Sequence, residues 1–274
     1  MTNNLNESKI ALMSPLYQEE KSEVFLHDIE WTKENRDKLG KNKNLLYWYE
    51  KLYLKLFEDL GDIANLAVLE IGSGTSPIKI FYPSIITSDV MPLPYLDHCF
   101  DVHDLGLYDK IKDESLDVVV MTNVLHHLQN PLIAMEQISK KIKPSGRVII
   151  VEPFFSIVSK FVFTKFHHEK MDFDVVSPCL ENVSGPLTSA NMALPYKIFF
   201  MEHSWQEQVG KVFFISYPAV FFSSLSYMMT GGISRSFPIN RLLYKVLFKI
   251  DAVLAKFFPH MLASFFCINL KRRD

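Results

Sequence analysis

Between residues 66 and 153 the chain alternates short Val/Ile-rich runs with helical stretches, and nothing else in it limits the fold as strongly. The runs are 67–71 (AVLEI), 85–88 (IITS), Leu116–Thr122 (LDVVVMT) and 147–152 (RVIIVE). They are continuously apolar rather than alternating, as strands covered on both faces must be. Between the last two runs lies PLIAMEQISKKI at 131–142. Asn130 suits its N-cap and Pro131 its first helical position, and Lys143-Pro144-Ser145-Gly146 ends it and turns into the next strand. Strands separated by helices in this way predict an α/β, doubly wound, mostly parallel sheet. Leu45, Trp48, Tyr49, Leu52, Tyr53 and Leu56 recur at helical spacing, predicting a helix over 44–60. The segments 212–217 (VFFISY) and 264–270 (SFFCINL) read as further strands, with a helix over 242–257 between them.

Composition narrows the class. The 274 residues are 48% hydrophobic and 22% charged, with a formal net charge of −2. These values exclude a disordered chain and a strongly basic nucleic-acid binder. Cys99, Cys179 and Cys267 form no CxxC pair or zinc spacing. The first twenty residues lack the basic and apolar regions of a secretory signal. A reducing, cytoplasmic setting is the expectation.

The first strand runs into VLEIGSGTSP. Gly72 and Gly74 allow a sharp turn and a close backbone approach to a ligand, and Ser76-Pro77 reads as the start of a helix. Asp89 follows the second strand, at a spacing that resembles the ribose-binding acid of dinucleotide folds. A carboxylate suits a vicinal diol because it accepts two hydrogen bonds. The third glycine of GxGxxG is missing, since Ile78, Lys79 and Ile80 occupy that stretch. A ligand with one ribose and no pyrophosphate fits better than a nicotinamide dinucleotide, and S-adenosylmethionine is such a ligand.

Three blocks carry a family resemblance: VLEIGSGTSP, then TSDV (87–90), then DESLDVVVMTNVLHHLQNPLIAMEQISKKIKPSGRVIIVEP (113–153). In order, they resemble the motifs of class I S-adenosylmethionine-dependent methyltransferases. Weaker similarity extends to HDIEWT (27–32) and FFCINLKR (265–272). The whole is similar to bacterial members associated with polysaccharide or lipid-linked sugar pathways. The resemblance implies a seven-stranded Rossmann-like sheet in a single domain over 1–274. That domain would have an N-terminal helical cap (1–61), a cofactor-binding half (62–154) and an acceptor-side half (155–274) with a helical lid before the last strand. It also implies that Glu70 orients the loop or meets the methionine amino group, and that Gly72, Ser73 and Gly74 line the methionine and ribose. Asp89 would bind the ribose hydroxyls, Val90 would lie near the adenine, and Asn123 would contact the methionine end. Asp104-Leu105 resembles the pair that reads the adenine amino group, with Asp101 a rival for that role. Ser76 departs from the family, which often has glycine there.

Methyl transfer is an in-line displacement, and alignment supplies most of what the protein must contribute. A hydroxyl acceptor would gain further from a general base. His127 and His168 are the candidates, the latter beside Glu169. Neither the His126-His127 pair nor the His167-His168 pair has the HExxH spacing of a zinc enzyme, so no metal is expected. The expected product is S-adenosylhomocysteine. The expected acceptor is an oxygen of a glycan or lipid-linked precursor; a small phenol, acid or amine is the alternative, and a catalytically silent binding protein the second.

The small net charge hides a division. Residues 211–274 hold nine Lys or Arg against Asp251 and Asp274, leaving +7 there and −9 in the first 210 residues. The uncharged run 212–229 just reaches the length of a membrane span, but Pro218 and several serines interrupt it. On the helix over 242–257, Leu243, Val246, Leu247, Ile250, Val253, Leu254 and Phe257 share a face beside Lys245, Lys249 and Lys256. This helix either packs its apolar face on the sheet as a lid or approaches anionic lipid from the cytoplasmic side. No nucleic-acid partner is expected.

Overall fold

The computed structural model describes residues 23–166, 169–181, 183–223, 225–233 and 235–274. Helices of eight or more residues are α1 (Glu23–Lys41), α2 (Lys43–Leu56), α3 (Pro131–Lys141), α4 (Ile157–Phe166), α5 (His203–Gly210) and α6 (Arg241–Phe257). The strands are β1 (Val68–Ile71), β2 (Ile86–Asp89), β3 (His98–Cys99), β4 (Leu116–Thr122), β5 (Ile142–Pro153), β6 (Phe213–Ser223) and β7 (Ala263–Arg272). They form one seven-stranded sheet in the order β3-β2-β1-β4-β5-β7-β6. All pairings are parallel except those of β7, which runs antiparallel to β5 and β6. This is an α/β, doubly wound, Rossmann-like fold with α6 inserted before the last strand.

The uninterrupted apolar strands follow from burial on two sides. Val119, Met121, Val148 and Ile150 face one core with Leu132, Met135 and Ile138 of α3 and Trp205 and Val209 of α5. Their neighbours Val118, Val120, Ile149 and Val151 face the other, against Leu45, Trp48, Leu52 and Tyr53 of α2. Asn42 caps α2 by accepting from the Leu45 N–H, and Asn130 caps α3 with Pro131 in its first turn. Helix α2 stops at Leu56, short of residue 60, and the chain reverses at Gly61 with φ +72°. Strand β5 starts at Ile142, earlier than expected. The Lys143–Gly146 turn is an irregularity in the sheet register, with Ser145 at φ 62°.

Helix α6 packs against β6 and the body as a lid would, but most of its expected apolar face is exposed. Its buried residues are Tyr244, Asp251 and Ala255, with Phe248 packed on the core and Leu247 and Leu254 half-buried. The Tyr244 hydroxyl donates to the Ser226 carbonyl at 3.0 Å, and Asp251 accepts from the Ser226 N–H at 2.6 Å. Tyr47 of α2 meets Tyr244 and Phe248 edge-on. Because this polar face is fixed to the body, Leu242, Leu243, Val246, Ile250, Val253 and Phe257 point outward, each more than half exposed. At 100° per residue they form one stripe opposite Tyr244, with Arg241, Lys245, Lys249 and Lys256 along one flank. Among the described residues no helix is long and apolar enough to cross a membrane. Most of the uncharged run 212–229 lies in β6 and a short helix, Leu225–Met229.

Candidate active site

The strand order reverses between β1 and β4, and their carboxyl ends open a crevice of the kind that binds ligands in doubly wound sheets. Gly72, Asp89, Val90, Asn123 and His127 line a cavity there. Gly72 has φ +75°, and a Cβ at that position would run into the Val124 side chain. The glycine loop is held from several sides. Arg36 of α1 donates to the Ser76 carbonyl at 2.7 Å and stacks on the Tyr95 ring, whose hydroxyl donates to the Gly74 carbonyl at 2.9 Å. Ser73 is buried, exchanging hydrogen bonds with Ser88.

Asp89 closes the end of β2. One carboxylate oxygen accepts from the Gly74 N–H and the other from the Met91 N–H, both at 3.0 Å. Beyond these two bonds the carboxylate has further acceptor capacity, part of it directed at the Val90 N–H. Burial is the main effect on its acidity, raising its pKa from 3.8 to about 6 against the opposing backbone donors. Glu70 lies under the loop, where Ser76 Oγ donates to it at 2.7 Å while also bonding the Tyr53 hydroxyl. Ser76 thus ties the loop to α2. The other oxygen of Glu70 is buried without a hydrogen-bond partner. Burial raises the Glu70 pKa from 4.5 to about 7.

Asn123 follows β4 in the left-handed region, with φ 56°. A non-glycine residue is held there only where its surroundings over-determine it. Its N–H donates to the Val151 carbonyl, and its side-chain oxygen is buried and unpartnered on the cavity wall. Two orphaned buried acceptors, Glu70 and Asn123, thus flank a glycine turn. This donor-poor, acceptor-rich set suits a ligand bearing an ammonium group.

The remaining expected residues separate. Asp101 and Val102 line the cavity; Asp104 and Leu105 do not. Leu105 is fully buried in the core. Asp101 caps the two-turn 3-10 helix Val102–Leu107, accepting from the His103 N–H, and Asp104 lies in the first turn of that helix, off the cavity wall. Glu70, Ser73 and Gly74 lie behind the wall and shape it. His168 lies outside the described residues.

His126 and His127 have different surroundings. His126 is buried: its Nδ1 meets Glu152 at 2.5 Å and its Nε2 meets Glu169 at 3.2 Å. Desolvation favours the neutral ring, yet the two carboxylates prevail and hold its pKa up at about 10. Glu152 also accepts from the Val124 and Leu125 N–H groups, so it fixes the whole turn after β4. His127 lines the cavity with Nδ1 3.0 Å from the Ser189 carbonyl.

Sequence reasoning missed Asp28. This buried carboxylate on α1 accepts from the N–H groups of Leu187 and Thr188 and from the Thr188 hydroxyl. Pro186 and Leu187 form part of the cavity wall, so Asp28 pins that wall to the N-terminal cap. HDIEWT contained the residue, but its contact lies about 160 residues downstream and has no local signature. Asp28→Ala should lower stability by about 1–3 kcal/mol, since it leaves buried donors unpaired. Chemical unfolding of the variant checks this.

The chain is similar in part to known methyltransferases. Residues 42–174, just under half of the chain, match a family model described as a methyltransferase domain. A segment of 56 residues is 34% identical to a Dictyostelium discoideum protein described as probable polyketide synthase 10; the match spans 20% of this chain and 2% of that protein. Among solved structures, a SAM-dependent methyltransferase from Archaeoglobus fulgidus is 17% identical, with 83% of this chain and 93% of that one covered at a TM-score of 0.46. A Haloferax volcanii putative methyltransferase, in complex with the Trm112 activator, is 9% identical over 90% of this chain and 97% of the other, at a TM-score of 0.48.

Proposed function

We propose that this S-adenosylmethionine-dependent methyltransferase acts on an oxygen of a glycan or lipid-linked precursor presented at an anionic membrane surface. The outward apolar stripe of α6 carries the reading. Large exposed apolar patches mark interaction surfaces, and a stripe flanked by cations is the pattern of a helix lying in a lipid interface. Ile157 and Phe161 of α4, with Phe258 and Met261 beyond α6, are also exposed apolar residues of the acceptor-side half (155–274).

The donor supplies an electrophilic methyl on a sulfonium. Asp89 would hold the ribose hydroxyls with its free lone pairs, and Val90 and Asp101 would meet the adenine. Asn123 would receive the methionine ammonium, and Glu70, beneath the loop, would orient the turn that the ammonium approaches. His127, on the cavity wall, is the described residue suited to accept a proton from an acceptor hydroxyl.

Two results test the reading. Labelled methyl supplied to fractionated cell extract should enter lipid or polysaccharide; label confined to small water-soluble products would favour a phenol, acid or amine acceptor. The protein should cosediment with vesicles containing anionic lipid at low salt and lose most of that binding at high salt, as a screened attraction must. Leu242→Glu/Val246→Glu should abolish it.

Cofactor affinity should depend on pH. Asp89 accepts best from hydroxyl donors when ionised, and an ionised Glu70 beneath the loop attracts the ammonium through its charge; their pKa values are raised to about 6 and about 7. Affinity for S-adenosylhomocysteine should therefore climb from pH 5 to pH 8, by roughly tenfold per unit for each proton released. For the unliganded protein the sign is opposite. Raised carboxyl values contribute stability below pH 4 that is lost as pH rises through 6 to 7. Calorimetric titration across that range checks the first effect and thermal unfolding without ligand the second.

A further inference from the structure

The turn after β4 and the segment after α4 bring together His126, His127 and Glu169. One ligand-type atom from each lies within 4.8 Å of the others. Glu169 stands 3.2 Å from His126 Nε2 through one oxygen and 3.9 Å from His127 Nε2 through the other. The three side chains are between 3% and 16% exposed. We infer that His126, His127 and Glu169 form a binding site for a zinc-type divalent cation beside the cofactor cavity.

The orientation of the rings carries the argument. Metal-binding histidines give their second ring nitrogen to a carboxylate or a backbone carbonyl, which fixes the tautomer and aims the other nitrogen at the ion. Both histidines do this through Nδ1, His126 to Glu152 and His127 to the Ser189 carbonyl. Glu152 is itself fully buried and anchored by two backbone N–H groups. Both Nε2 atoms are thereby turned to the same carboxylate. Bonds of about 2.0–2.2 Å at tetrahedral angles place ligand atoms roughly 3.3 Å apart; the His126–Glu169 separation of 3.2 Å meets this, and the 3.9 Å between His127 and Glu169 is wider. A small adjustment of Glu169 would complete the set.

Two histidines, one carboxylate and an open position make the donor set of a catalytic rather than a structural zinc site. Because His127 also lines the cavity, the open position adjoins the acceptor side. An acceptor hydroxyl or water would fill it, and coordination lowers the pKa of either. This last role rests on the methyl-transfer reading and would take the place of proton acceptance at His127 Nε2, which the ion would occupy; the site itself does not rest on that reading. The sequence concealed it because neither histidine has a helix-spaced partner and the third ligand lies far along the chain.

The full chain, stripped with chelator, should bind one zinc ion in a calorimetric titration with zinc chloride. Cobalt(II) should give the intense visible bands of four-coordinate geometry. Glu169→Gln and His127→Gln should each weaken zinc binding by about 100-fold or more and abolish those bands, with cooperative unfolding preserved. Absence of stoichiometric zinc binding by the unmodified chain, or equal binding by both variants, overturns the site. Titration with S-adenosylhomocysteine separates this result from the donor reading: binding without zinc leaves the donor reading and defeats the metal site, and the converse defeats only the donor reading.

Discussion

Gly72→Val should eliminate measurable cofactor binding and lower the melting temperature by several degrees. Two independent costs act at this position. The backbone has φ +75°, a conformation that a β-branched residue adopts only with strain of about 1–3 kcal/mol. The added Cβ would also collide with Val124. Val124 cannot simply retreat, since its N–H is held by the buried carboxylate of Glu152 at 2.9 Å. Relief must come from the glycine loop moving into the cavity that it lines. Calorimetry with S-adenosylhomocysteine should show at least a 100-fold loss, and Gly72→Ala should be milder because it lacks the branch. Gly40→Ala supplies the control. A Cβ there meets nothing within 4 Å, and an exposed helical glycine exchanged for alanine gains about 0.5–1 kcal/mol. Equal cofactor affinity in Gly72→Val and the unmodified chain would remove the loop from the site.

The central sheet was legible because its signal is local. Each buried strand announces itself by a continuous apolar run, and each helix by its cap and period. Leu116–Thr122 was read with the bounds it has. The strand ends were less legible where register and not composition sets them, as in β5, which continues back through the Lys143–Gly146 turn. Gly72, Asp89, Val90, Asn123 and His127 could be read as a cavity because they follow strand ends in a fold that opens there. Asp104 against Asp101 turned on a helix cap three residues away, which the period could not resolve.

What was illegible depended on long-range partners. Periodicity gives α6 a strong apolar face but does not say which way it points. That was decided by Tyr244 and Asp251, whose polar groups find Ser226 in the fold. A helix that anchors itself by a tyrosine and an aspartate, leaving six large apolar side chains outside, reverses the usual economy of burial. The exposed stripe costs nothing only if something apolar covers it. The cations lie on one flank of that stripe, so the proposed membrane contact would require the helix to roll toward the headgroups on that side. The partners of Asp28, Glu152 and Glu169 were invisible for the same reason, although Glu169 was read as a neighbour of His168. Each carboxylate acts on a backbone turn or ring from another part of the sequence.

Asp89→Ala should weaken S-adenosylhomocysteine binding by at least about 100-fold while leaving the protein folded. The carboxylate has spare lone pairs beyond those used by Gly74 and Met91, and bonds to a charged acceptor are worth about 1.5–3 kcal/mol each. Losing two of them corresponds to roughly two to four powers of ten in affinity. The variant also strips the Gly74 and Met91 N–H groups of their acceptor, so part of the loss will come from a loosened glycine loop. Asp89→Asn separates the two contributions. Its amide oxygen can still accept from one of those N–H groups, but it offers neither the charge nor a second acceptor. If Asp89 acts mainly on the loop, the asparagine variant should recover most of the affinity. If it acts on the ribose, the loss should remain large and should no longer carry the steepest part of the pH dependence near 6, where the aspartate itself titrates. Undiminished binding in the alanine variant would place the ribose elsewhere, and with it the cofactor orientation on which the placement of His127 toward the acceptor depends.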